Sequence, residues 1–212
     1  VRQQEMKQTS QDPARLPFND VMALAVHTSM VAERIPGEAI RWAMQAADHC
    51  ERKRLYGRAL ERLTTAVRLV QGRNDLLIPP KDRVDILLRH VGLLLDVDGD
   101  MSEAETTLEQ LGREIEALPA PEKSIYDVRR RLHAALVAYR SQRFAEVAEI
   151  VEAIESNEDA EDWMLLRGRF LATMSLDPRA NAERRLTELE SLLATTEAGV
   201  RNAESTRELT HA

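Results

Sequence analysis

One cysteine, Cys50, stands in a chain of 212 residues, so no internal disulfide framework can hold this fold. Aromatic residues make up only 4% of the sequence, and the core must therefore be filled by aliphatic and small side chains. Ala, Leu, Glu and Arg dominate, the composition of helices packed through small and aliphatic side chains, and an all-α protein follows. The 8 Gly and 8 Pro are scattered as punctuation and form no low-complexity tract. Long apolar runs are missing. Residues 21–31 are the nearest approach to the roughly 20 that a membrane helix needs, and His27, Thr28 and Ser29 interrupt them, so no membrane span is expected. An excess of positive charge is missing too: 29 Lys and Arg against 36 Asp and Glu give a net charge of −7, which argues against direct nucleic-acid binding.

Catalytic signatures are equally scarce. There is no Gly-rich phosphate loop and no Gly-x-Ser-x-Gly elbow, and a single cysteine excludes Cys-x-x-Cys. Of the histidines, His27, His49, His90, His133 and His211, only His211 stands in a Glu-x-x-His, from Glu208, and no second copy completes a di-iron set. The run Asp96-Val97-Asp98-Gly99-Asp100 invites a calcium loop. Counting from Asp96, however, the sixth position is Met101 and the twelfth Thr107, where Gly and Glu are required. No metal, no cofactor and no enzymatic activity are expected. Cys50 falls at an interior position of its helix and is expected to be buried and inert.

What the chain does have is periodicity. Residues 1–17 are polar and carry Pro13 and Pro17, a leader with no helical period. The sequence opens on Val1, so it is expected to be a processed product or a piece of a longer chain. Asn19 or Asp20 is expected to cap a first helix with Val21, Leu24, Ala25, Thr28 and Val31 on one face, ending near Ile35-Pro36-Gly37. Pairs of amphipathic segments follow: 38–53 with 56–72, 81–97 with 103–118, 122–142 with 144–155, and a last pair around Trp163 to Leu171 and Leu186 to Leu193. The cleanest stripes are Ala59, Leu63, Ala66, Val70 and Ala104, Leu108, Leu111, Ile115, the latter helix opening on a Ser102 cap. Trp163, Leu166, Phe170 and Leu171 read as the apolar set of the last pair's first helix. From Thr195 to residue 212 large apolar residues thin out and the tail is expected to fray.

Aligning Ala59, Ala104 and Ala148 superimposes three turn segments at steps of 45 and 44 residues, a period that marks stacked helical hairpins. The second hairpin offers Leu88, Val91, Gly92, Leu95, Gly99, Ala104, Leu108 and Leu111; the first Ala43, Ala46, Ala47, Cys50, Ala59, Leu63 and Ala66; the third Leu132, Ala135, Leu136, Tyr139 and Ala148. On these positions, residues 38–194 resemble the tetratricopeptide repeat family, with a step longer than that family's roughly 34 residues. The resemblance implies antiparallel helical hairpins stacked as a right-handed superhelix over 18–194, with a plain four-helix bundle as the competing architecture.

It also implies a function: a non-catalytic adaptor or scaffold, of the kind that includes chaperones, binding a peptide or protein segment in the groove of its first, or A, helices. Candidate contacts there are Arg89, His90, Arg129, Arg130, His133 and Arg167, with Tyr139 and Trp163 as aromatic anchors. The runs Arg52-Lys53-Arg54 and Arg129-Arg130-Arg131 suit an acidic segment of the partner, while Glu149 to Asp162 forms an acidic edge. The carboxylate clamp of chaperone-binding members is absent, because Asp48 and His90 occupy its two Asn positions. A homodimer through an end of the stack and a cytoplasmic location are compatible with this reading. The alternative is a ligand-sensing or effector-binding helical domain of a transcriptional regulator.

Overall fold

The computed structural model describes residues 16–72, 78–97, 99–177 and 179–210, and among them nine α-helices and no strand. They are α1 (Phe18–Met30), α2 (Pro36–Arg52), α3 (Tyr56–Gly72), α4 (Pro80–Asp96), α5 (Met101–Ile115), α6 (Ala120–Arg140), α7 (Phe144–Glu155), α8 (Asp162–Ser175) and α9 (Ala182–Thr210). The predicted leader, except for Leu16 and Pro17, lies outside the described residues, as do Asp98 of the predicted turn and His211. Helix α9 continues past Thr195, the point at which its large apolar residues thin out.

Two compact units, Val1–Leu118 and Pro119–Ala212, divide the chain, where the sequence reading runs one repeat domain. In the first, helices pack in chain order, α1 on α2, α2 on α3, α3 on α4 and α4 on α5. The predicted stripes are its core: Ala59, Leu63, Ala66 and Val70 on α3 and Ala104, Leu108, Leu111 and Ile115 on α5 are all buried. The spacing of Val84, Leu87, Leu88, Val91 and Leu95 predicts one inner face for α4; all but the half-buried Leu88 are in the interior, and Ile86, His90, Leu93 and Leu94 join them from outside that face. In the second unit α6 packs on α7, and α8 lies against both, around Val128, Leu132, Ala135, Val151, Ile154 and Met164. Helix α9 packs on α8.

Hairpin turns repeat in backbone detail. The N–H groups of Leu55, Gly99 and Arg143 reach back to the carbonyls of Cys50, Leu94 and Ala138, at 2.8, 2.7 and 2.8 Å, and both triplets step by 44 residues. These are the six-to-one bonds of a Schellman cap, which needs a left-handed residue just before the donor. Arg54 (φ 58°) and Gln142 (φ 59°) hold that conformation without being glycine. A left-handed L-residue is disfavoured by contact of its Cβ with the following carbonyl. Arg54→Gly and Gln142→Gly are therefore each expected to raise stability by roughly 0.5–1 kcal/mol in urea unfolding, net of glycine's unfolded-state entropy.

The turns also correct several local readings. The first i to i+4 bond of each second helix is made by the N–H of Ala59, Ala104 and Val147, so Val147, fully buried, is the structural counterpart of the two alanines, and Ala148 is exposed. The shift arises because the second hairpin spends one more residue between its turn and α5, and the third spends none. Helix α5 is capped by Asp100, whose Oδ1 accepts from the N–H of Ser102 at 2.8 Å, rather than by Ser102. Helix α1 starts at Phe18, ahead of Asn19 and Asp20, with Pro17 at its N-cap position and no side-chain cap. Pro36 does not end a helix but opens α2, where its missing N–H costs no bond.

Candidate functional site

Helices α2 and α4 of the first unit leave a cleft of about 420 Å³ between them. Gly37, Ile40, Arg41 and Met44 form its α2 wall, spaced i, i+3, i+4 and i+7, so that one flank of the helix faces it. Asp82 and Ile86 face them from α4. The opposite flank of α2 carries the small buried residues Ala39, Ala43, Ala46, Ala47 and Cys50 that seat it in the unit. The cleft therefore has an apolar floor of Ile40, Met44 and Ile86 and a rim with Arg41 on one lip and Asp82 on the other. Gly37 contributes backbone and no side chain to the wall, and a Cβ placed there meets no atom within 4 Å.

Arg89 fastens the same two helices. Its guanidinium lies 2.5 Å from Asp48 Oδ1 and 2.7 Å from Glu51 Oε1, both on α2. His90, next to it, turns the other way and is 1% exposed. Its Nε2 stands 3.2 Å from Thr64 Oγ1 on α3 and 3.6 Å from Glu103 Oε1 on α5. The Thr64 hydroxyl donates to the Leu60 carbonyl, which leaves its oxygen to accept from Nε2, and Nδ1 has no hydrogen-bond partner among the described residues. Burial lowers the imidazole from its ordinary 6.5 to about 4.

The second unit holds the other predicted contacts, most of them engaged within the chain. Asp127 takes Arg130 Nε and Nη2 on Oδ1 at 3.0 and 2.8 Å and Arg131 Nε on Oδ2 at 2.7 Å. Burial pushes the Asp127 carboxyl up, but the two arginines outweigh it and hold it below its ordinary value. Glu161 joins two predicted residues, with Arg129 Nη2 at 3.4 Å from Oε1 and Trp163 Nε1 donating to Oε2 at 2.6 Å. Arg129 also lies over the Tyr126 ring. His133 Nδ1 is 2.9 Å from the Arg129 carbonyl, and Tyr139 packs its ring at 6.0 Å from Phe144. Arg167 is exposed and has no hydrogen-bond or ion-pair partner among the described residues.

No protein-family model, curated protein or solved structure matches the chain. Cys50 is buried, with its thiol pushed up by burial against the pull of Arg62 and Arg58, and its Sγ lies 3.9 Å from Met22 Sδ. Among the described residues no three His, Cys, Asp or Glu side chains come together as a metal site, and no helix is long and apolar enough to cross a membrane. The cleft residues Gly37, Ile40, Arg41, Met44 and Asp82 escaped the sequence reading, although the i, i+3, i+4, i+7 spacing of the first four on α2 was a usable signal beside the more conspicuous alanine stripe.

Proposed function

We propose that this chain is a non-catalytic protein-interaction adaptor whose helical hairpins, of the tetratricopeptide type, stack in a right-handed sense and take a partner segment in the groove of their A helices. The observation that carries the reading is the α2–α4 cleft. It lies between two A helices, its floor is apolar, and its lips carry opposite charges. An apolar anchor with charged flanks is what such a cleft can recognise. Repetition of the six-to-one turn bond at 44-residue steps supports the hairpin-repeat part of the proposal. Arg89 belongs to the frame of this groove, since it ties α4 to α2. A second reading, a ligand-sensing domain, draws on the same cleft, because about 420 Å³ falls within the size range of small-molecule sites.

Gly37→Phe tests the assignment. A Cβ there meets no atom within 4 Å, so the fold is expected to be retained with the new ring occupying the cleft. Captured from a native lysate and identified by mass spectrometry, a partner held by the natural chain is expected to bind the Gly37→Phe chain at least about tenfold more weakly, a loss of about 1.4 kcal/mol or more. Arg130→Glu, on α6 of the other unit and not among the residues that line the cleft, is expected to leave capture unchanged. Equal capture by the natural and Gly37→Phe chains would reject the cleft as the binding site.

A further inference from the structure

Helix α8 is apolar on two flanks. Met164, Gly168 and Leu171 point one way, are buried, and meet α6 and α7; a Cβ on Gly168 would stand 3.6 Å from Val151. The other flank carries Trp163, Leu166, Arg167 and Phe170, again at i, i+3, i+4 and i+7. With Leu189, Leu192 and Leu193 of α9 they line an open groove of about 520 Å³. Within this unit α8 covers the α6–α7 hairpin, whereas the outer face of the α8–α9 hairpin has no described helix over it. Trp163 remains 45% exposed, Phe170 47%, and Leu186 and Leu193 60% each. Together they leave on the order of 400 Å² of apolar surface, within the roughly 300–600 Å² of the largest patch on a typical monomer, which is often functional.

Charge chooses the occupant. In the groove wall Arg167 has no counter-charge among the described residues. Beside the groove, α9 raises a ridge of Leu186, Glu190 and Leu193 at i, i+4 and i+7, in which Glu190 is exposed and likewise has no partner among the described residues. Among the described residues the hairpin thus carries both an apolar groove with a free cation and an apolar ridge with a free anion. A surface that bears its own complement is what a twofold contact requires, because each residue pair then forms twice. Used by both copies, the patch supplies the apolar centre of an interface near the standard of roughly 800 Å² per partner, with the charged residues at its rim.

We infer that the α8–α9 face is a self-association surface on which two copies of the chain dock by a twofold axis, the Leu186–Glu190–Leu193 ridge of each lying in the groove of the other and Arg167 pairing with Glu190 across the contact. This goes beyond the adaptor reading, since it uses another surface, and it gives Trp163 and Arg167 a role in assembly.

Sedimentation velocity over a concentration series of the full chain tests it. The natural chain is expected to move from monomer to twice the monomer mass. Leu193→Glu, at an exposed position, is expected to weaken association at least about tenfold with an unchanged far-ultraviolet spectrum and, at concentrations where the natural chain is monomeric, an unchanged melting curve. Arg167→Glu alone and Glu190→Arg alone are each expected to dissociate the dimer, and an equimolar mixture of these two variants is expected to restore it, because both cross-pairs then become attractive. A natural chain that stays monomeric at every concentration overturns the proposal, as does a dimer indifferent to Leu193→Glu. A dimer lost in Leu193→Glu but unaffected by either charge reversal overturns the Arg167–Glu190 pairing and with it the assigned register.

Discussion

A chain carrying His90→Leu is expected to match the natural chain in stability at neutral pH and to lose most of its decline in acid. In the native state His90 is 1% exposed, and burial holds its imidazole neutral down to about 4. The groups that face it are Thr64 from α3 and Glu103 from α5, the latter half-exposed at 3.6 Å. In the unfolded chain the imidazole returns to its ordinary 6.5. Between 6.5 and 4 the unfolded state binds a proton that the native state does not, so lowering the pH favours unfolding, with the loss starting near 6.5 and complete below 4. One proton bound by the unfolded state alone costs the fold about 1.36 kcal/mol per pH unit, so across that window the full loss is about 3 kcal/mol. Above pH 7 both states are neutral and His90 contributes no slope. Leucine removes the titration and also the unpaired Nδ1, while Thr64 keeps its bond to the Leu60 carbonyl, so the change at neutral pH should stay within about 1 kcal/mol. Urea unfolding of both chains from about pH 7.5 down to about pH 4 measures the effect as a difference, in which the common carboxylate titrations cancel. Parallel pH profiles, or an NMR titration placing the His90 imidazole near its ordinary value, would sink the argument.

Much of the fold was legible because helix burial leaves a period in the sequence. Ala59, Leu63, Ala66 and Val70, or Ala104, Leu108, Leu111 and Ile115, are spaced so that a helix must put them on one side, and they are buried there. Periodicity failed where a helix has neighbours on two sides. On α8 the sequence grouped Trp163, Leu166, Phe170 and Leu171 as one apolar set, whereas Leu171 is buried inward with Met164 and Trp163 and Phe170 lie on the outer flank. Apolar residues all around a helix carry no phase, so the sequence could not say which flank was covered. The arginine run illustrates a different limit. Asp127 stands three and four residues before Arg130 and Arg131, a spacing that allows pairing on one helix face, and both pairs form. The partner of Arg129, by contrast, is Glu161, brought in by a connection 32 residues away that no local pattern announces. His90 was read as a groove contact alongside its neighbour Arg89, yet adjacent helical residues point about 100° apart, and the pair divides between the α2 side and the core. Val147 displaced Ala148 because a fixed-period alignment cannot see that the hairpin turns differ in length by a residue.

Ala47→Leu is expected to destabilise the first unit by about 2–3 kcal/mol, although it replaces one strong helix former by another and adds apolar surface. Helix α2 packs against α1 and α3 at once, and the residues it offers them are small: Ala43 is 2% exposed, and Ala46, Ala47 and Cys50 are fully buried. On the facing helices Val21, Ala25, Ala59, Leu63 and Ala66 are equally covered, which leaves no room on this flank of α2 for a larger side chain. Two helices flanking a third can both come close only where side chains at the crossings are short, and interaxial distance follows the side chains at the contact. Three added carbon atoms at Ala47 must therefore either force an off-rotamer leucine or push α3 outward, and a core at crystal-like density yields to neither without cost. Ala47→Gly separates this cause from a simple requirement for alanine: it removes volume and costs the roughly 1 kcal/mol of helix propensity plus a small cavity, while leaving the helices free to stay together. Urea midpoints at neutral pH should rank the natural chain first, Ala47→Gly next and Ala47→Leu last. A leucine variant as stable as the natural chain would mean that α2 is not held at close approach. The cleft on the opposite flank of α2 depends on that placement, because Gly37, Ile40 and Met44 stand where they do only as long as the alanine side keeps the helix seated; partner capture by Ala47→Leu should accordingly fall even though no cleft residue has changed.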